Sequence, residues 1–205
     1  MRSIKTSYQD PLDLIWISTA NQLGIQIVRD ESVNATWDGV DTLRLGTDAT
    51  LDPDDCLAQM IFHELCHALV EGPDSFAQED WGLFNLEYDP ATDNPSAAIH
   101  EQACLRFQAV LSDEYGLRGF LAPTTDFRTF YDSLPDDPIS ETGLPDVILA
   151  TASLDRFKVC PWNCVLRRAL GATAEILAIV RPFASGDSLW RFGDRQVDAD
   201  RSKID

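Results

Sequence analysis

Apolar residues recur along this chain with two periods, and the change of period marks its parts. Leu12, Ile15, Trp16, Thr19 and Leu23 repeat at helical spacing. Asp10 and Pro11 before them read as an N-cap and a first-turn proline, and Gly24 as a stop, so a helix is expected over 11–23. IQIV at 25–28 reads as a short buried strand, and DTLRLG at 41–46 alternates as a second strand. TWDGV between them carries an Asp38-Gly39 turn signal. Leu57, Met60, Ile61, Leu65, Ala68 and Leu69 then form one stripe at helical spacing. With Asp52 as N-cap, Pro53 at the first helical position and Gly72-Pro73 as terminator, this predicts a helix over about 53–71.

Residues 72–94 are rich in turn formers and carry Phe76, Trp81, Phe84 and Tyr88. Connections of that length inside a compact domain are often functional. Further helices are expected at roughly 95–115, stopped by Gly116, and at 125–133, 144–157 and 162–180. From Ser185 the chain is polar and weakly patterned. The expected organisation is a single domain over 1–184 and a polar tail over 185–205. The expected class is α+β, with a small antiparallel or mixed sheet and a mainly helical C-terminal portion.

Charge narrows the partners. Asp and Glu number 34 against 16 Lys and Arg, a formal charge of −18. Such a surface repels phosphate, which argues against nucleic acid and anionic membranes and leaves basic or neutral substrates easier to accommodate. No run approaches the roughly 18 apolar residues of a membrane span. Asp10, Pro11 and Asp13 interrupt any apolar signal segment near the start. The five cysteines are an odd number, and they read as reduced thiols in a cytoplasmic protein.

Candidate chemistry concentrates in FHELCHALVEG, residues 62–72. The chain has three histidines, and His63 and His67 lie four apart, one turn above the other on the helix. Both can direct a ring nitrogen at one ion about 2 Å away. Glu64, displaced around the helix, is placed to act as general base on a water that such an ion acidifies. Phe62, Leu65 and Leu69 are left to pack the opposite face. The bland alternative is a histidine pair on an ordinary helix face.

HELCH resembles the active-site helix of the zincin metallopeptidases. The order of helix and strands before it, and a following helix with an acidic residue, are similar to their small gluzincin-like branch. The resemblance spans roughly 11–115 and is specific only in the five-residue motif. It implies a zincin-like fold, a zinc ion, a peptide or protein substrate laid along an edge strand, for which DTLRLG is the candidate, and a third ligand from a later helix. The longer HExxHxxGxxH pattern is absent, since Val70 and Glu71 follow and no histidine comes soon after. Glu101 in AAIHEQACLRF resembles the gluzincin glutamate, although Leu105 stands where that branch often has Asp or Ala. His100 is the alternative third ligand, or a group that steadies a developing oxyanion. Glu71, Glu79 and Asp80 are outside candidates.

Three functions stay open at this point: a zinc-dependent hydrolase, a non-haem iron oxygenase or hydroxylase using the same two histidines and one carboxylate, and a catalytically silent binding module. Cys66 and Cys104 read as small core residues. CPWNC at 160–164 lacks the CxxC spacing. Tyr115, Arg128 and Tyr131 are candidates for transition-state hydrogen bonds, against the plainer reading of a helix that packs Phe127 and Phe130. Substrate specificity and oligomeric state have no signature in the chain.

Overall fold

A computed structural model of the chain describes residues 8–83, 95–123 and 127–191. Phe84, Tyr88 and the tail from 192 onward lie outside the described residues, as does the start of the helix expected at 125. Among the described residues the class is α+β: six α-helices and one three-stranded mixed sheet. None of the helices is long and apolar enough to cross a membrane.

Helix α1 spans Pro11–Gln22, and Asp10 caps it as its sequence predicts, with the Leu12 amide donating to Asp10 Oδ1 at 2.8 Å. Strands β1 (Gln26–Arg29), β2 (Ala35–Trp37) and β3 (Thr42–Leu45) follow. Their order is β1-β3-β2, with β1 parallel and β2 antiparallel to β3. Two expectations fail here. DTLRLG is the middle strand, bonded on both sides, so it presents no edge along which a peptide could lie. IQIV is not a buried strand: only Ile25 is fully covered, while β1 itself is an edge strand with Gln26 and Val28 exposed. β2 has no signal in the sequence, because three residues are too few to display a period of two.

Helix α2 spans Leu57–Glu71 and starts four residues later than Asp52-Pro53 suggests. Asp55 explains the delay. Its carboxylate accepts the Asp52 amide at 2.8 Å, and its own amide bonds the Asp52 carbonyl at 2.9 Å, which closes a separate turn. The helix begins beyond it, where the Cys56 amide donates to Gln59 Oε1 at 2.6 Å. Its end is also held by side chains. Gly72 adopts φ 85°, and Arg156 donates to the carbonyls of Leu69 and Val70, placing a cation at the negative end of the helix.

Helices α3 (Pro95–Asp113), α4 (Arg128–Ser133), α5 (Pro145–Phe157) and α6 (Trp162–Val180) complete the fold. α2 is its axis, touching α1, β3, α3 and α5. Phe62, Leu65 and Leu69 are buried as their spacing implies, with the Phe62 ring 5.2 Å from that of Trp16 on α1. A buried ion pair fixes α3 to α5, where Arg106 bonds Asp146. Tyr131 is core and not a cleft group: it is 1% exposed and donates to the Arg118 carbonyl at 3.1 Å. Chain packing continues past Ser185, since the Trp190 ring lies 5.0 Å from Phe120.

Candidate metal centre

α2 and α3 run antiparallel, so their facing residues pair in opposite order. His63 meets Gln108, His67 meets Glu101, and Glu71 meets His100. Their spacing on α3 puts Glu101, Cys104 and Gln108 on one face, at i, i+3 and i+7.

His63 Nε2 and His67 Nε2 are 3.1 Å apart. The Glu101 carboxylate lies against both, with one oxygen 3.1 Å from His67 Nε2 and the other 3.5 Å from His63 Nε2. Donor atoms around a tetrahedral ion held at about 2.0–2.1 Å are about 3.3 Å from one another. The three groups are therefore spaced as ligands of one ion would be. A second set overlaps this one: His63, His67 and Cys104 offer ligand atoms within 4.8 Å of one another and could hold a metal ion.

The hydrogen bonds sort the two nitrogens of His63. Nδ1 is 2.9 Å from Gln108 Oε1, an oxygen that can only accept. That puts an N–H at Nδ1 and turns Nε2 toward His67 and Glu101, the nitrogen at which a metal ion would take the place of a proton. Gln108 is itself held, its amide donating to the Leu121 carbonyl. Cys104 Sγ sits on the Nδ1 side, 3.8 Å from that nitrogen and 3.6 Å from the His63 carbonyl. His67 Nδ1 is buried and has no hydrogen-bond partner among the described residues.

Burial opposes charge on His63, but the facing Cys104 and Glu101 raise its pKa, and of these two only Glu101 is an anion at neutral pH. His67 is raised for the same reasons. Burial also keeps the Cys104 thiol neutral, well above its ordinary range. At neutral pH the anion that favours charged histidines is therefore Glu101. Burial disfavours the Glu101 carboxylate, but His63 and His67 prevail and hold it down at about 2. Near neutral pH the cluster is thus a carboxylate facing at least one imidazolium, whose extra proton a metal ion would displace.

Glu64 reaches the same cleft from the next position on α2. It is 8% exposed, and Trp81 Nε1 donates to its Oε2 at 2.9 Å. The turn that delivers this indole is strained. Asp80 and Trp81 both adopt left-handed backbone, at φ 46° and 57°, a conformation that costs about 1–3 kcal/mol for each non-glycine residue. Contacts hold it. Asp80 Oδ1 accepts the Trp37 amide at 3.0 Å, and the Trp81 ring stacks on Trp37 with centroids 4.5 Å apart and planes 2° from parallel. Phe76 packs edge-on against both rings.

His63, Glu64 and Glu101 line a cleft of about 360 Å³. Asn34, Thr50, Asp52 and Asp55 add polar groups to its lining, and Met60, Pro123 and Phe127 apolar ones. His100 is not part of this group. It bonds Glu71 Oε2 at 2.6 Å, which also accounts for Glu71. Asp80 is committed to β2, and Glu79 is exposed. Arg128 pairs with Asp132, and Tyr115 lies by Arg167. The sequence motifs do not flag three groups: Gln108, Trp81 and, as a candidate metal ligand, Cys104. Gln108 has a legible signal, since it shares a helix face with Glu101. Trp81 has none, because its position depends on the strained turn. Comparison with protein-family models, curated proteins and solved structures finds no match.

Proposed function

We propose that this domain is a zinc-dependent hydrolase with a zincin-like arrangement, acting on peptide bonds. One observation carries the reading: His63 Nε2, His67 Nε2 and the Glu101 carboxylate converge beside Glu64 at the wall of an open cleft. His63, His67 and Glu101 are the three residues that would hold the ion. Glu101 is preferred over Cys104 because it faces the Nε2 atoms, whereas Cys104 lies on the Nδ1 side of His63. When bound, the ion supplies Lewis acidity, polarising a carbonyl and acidifying a water.

The chain's own residues carry the remaining roles. Gln108 sets the His63 tautomer and ring orientation. Glu64 has one oxygen engaged by Trp81, and its other oxygen is left to accept a proton from the attacking water and pass it to the leaving amine. Met60 and Phe127 exclude water from one side of the cleft, and Asp52 and Asp55 favour neutral or cationic substrate groups within it.

Two histidines and one carboxylate also form the donor set of non-haem iron oxygenases, and this donor set supports iron-dependent hydroxylation as a second reading. Elemental analysis separates the readings. Protein purified without chelator is expected to carry about one zinc per chain, lost in His63→Ala and Glu101→Ala and kept in Cys104→Ser. A peptide-library digest should then show cleavage that Glu64→Gln abolishes. Bound iron with oxygen-dependent turnover would replace the hydrolase reading, and absence of any metal after reconstitution would end both.

A further inference from the structure

Away from the α2–α3 cleft, the molecule holds a second close pair of reactive groups. Cys160 precedes α6 and Cys164 lies in its first turn. Their sulfurs are 2.7 Å apart and both residues are exposed. A covalent S–S bond is about 2.0 Å long, so a movement of roughly 0.7 Å would join them. The other three cysteines are protected. Cys66 and Cys104 are buried and Cys56 is half-covered. An oxidant that acts on exposed thiols therefore meets this pair first.

The residues between the two cysteines connect them to the site. Trp162 packs its ring against Phe76 with centroids 6.0 Å apart. Phe76 in turn lies 5.4 Å from Trp81, the residue whose indole donates to Glu64. A change in the span from Cys160 to Cys164 acts on Trp162, two ring contacts away from the group that seats Glu64.

We propose that Cys160 and Cys164 form a reversible dithiol–disulfide site, oxidised by small-molecule disulfides, whose closure shifts Trp162 against the aromatic cluster beside Glu64. The chemistry is two successive exchanges. One cysteine thiolate attacks the small disulfide, breaking its S–S bond and releasing one small thiol. The second cysteine attacks the mixed disulfide so formed, closing the Cys160–Cys164 bond and releasing the second small thiol. Two electrons and two protons pass from the cysteines to the small disulfide. The site does not depend on the hydrolase reading, because neither sulfur touches the metal-site residues.

The test uses the full chain equilibrated in mixtures of reduced and oxidised glutathione, quenched by alkylation and read by peptide mass. The expected result is one intramolecular disulfide between Cys160 and Cys164, about 2 Da lighter than the dithiol. It should reverse with excess dithiothreitol, while Cys66 and Cys104 react only after unfolding. Tryptophan emission is expected to shift with the same midpoint, and Trp162→Phe should remove that shift while leaving the disulfide. Cys160→Ser and Cys164→Ser should each lose both signals. Separate alkylation of the two cysteines, or two mixed disulfides without closure, in saturating oxidised glutathione would overturn the site. A disulfide that forms with unchanged tryptophan emission would overturn its link to the cluster.

Discussion

The same two helices hold two histidine–carboxylate contacts within about a turn of each other, and they differ in kind. At His67 and Glu101, a second imidazole arrives from the preceding turn of α2, and three donors point at one place. At His100 and Glu71 there is a single hydrogen bond of 2.6 Å, and Glu71 Oε1 is buried with no partner among the described residues. Residue type does not separate the two contacts. Convergence does: the i, i+4 pair supplies two donors on one rigid element, and α3 adds the third from across the groove. His100 has no second histidine to join it and faces one acid.

The largest expected effect sharpens that contrast. His67→Ala should remove bound metal altogether, while His100→Ala should leave close to the wild-type amount, both read by elemental analysis of chelator-free protein. Equal loss in both variants would erase the distinction.

Next in size is the pH dependence, and its sign follows from the cluster. The pKa of His63 is about 10 in the folded chain, above its ordinary 6.5. Its protonated form therefore stabilises the metal-free protein fully below pH 6.5, and that contribution is lost as pH rises toward 10. Glu101 works in the opposite sense, from 4.5 down to about 2. Its contribution is present above pH 4.5 and is lost as pH falls toward 2. The metal-free domain should accordingly keep both contributions between pH 4.5 and 6.5. Metal competes with the same protons, so its affinity should climb about tenfold per pH unit for each proton displaced as pH rises toward the raised histidine pKa, and level off above it. Thermal melts of the metal-free protein and metal titrations check the two limbs, and His63→Gln should flatten the alkaline one.

A smaller effect tests the support behind the convergent contact. Gln108→Leu removes the acceptor from His63 Nδ1 and should weaken metal binding about 10–100-fold with the fold retained. A competition titration against a chelator of known affinity measures it. Wild-type affinity in that variant would mean that α2 alone orients His63.

How far the sequence announces these features depends on whether the signal is local. The Asp10-Pro11 start of α1 is legible because its cap is made within the same turn. Asp52-Pro53 is the same signal and fails, because the Asp55 carboxylate takes the Asp52 amide first and closes a turn of its own. In β3 the alternation correctly gives the faces, with Leu43 and Leu45 buried and Arg44 exposed. Its place between β1 and β2 does not follow, since strand order is set by pairing across the chain. Glu101 is legible in the same limited way. The helix phase makes it a candidate, and the antiparallel register of α2 and α3 sets it, and not its neighbour His100, against His63 and His67. Trp81 is out of reach of pattern: Asp80 is of a type that tolerates left-handed backbone, but nothing in the sequence marks a tryptophan for it.

The smallest effect belongs to the other contact. His100→Asn breaks the bond to Glu71 without adding bulk. The His100 side chain is 27% exposed, so water screens the pair and replaces part of what is lost. Glu71 itself is more covered, at 7% for its side chain, and already has one oxygen without a partner. Removing the histidine therefore costs more than the loss of an exposed pair, which is about 0–1 kcal/mol, and less than a fully buried break, which is about 3–5 kcal/mol. The expected destabilisation is about 1–2 kcal/mol in urea unfolding, with metal content unchanged. It should vanish in Glu71→Gln, where no carboxylate remains to be stranded. A loss of the same size in both backgrounds would mean that His100 acts through packing on α3, and the contact would then not be an ion pair at all.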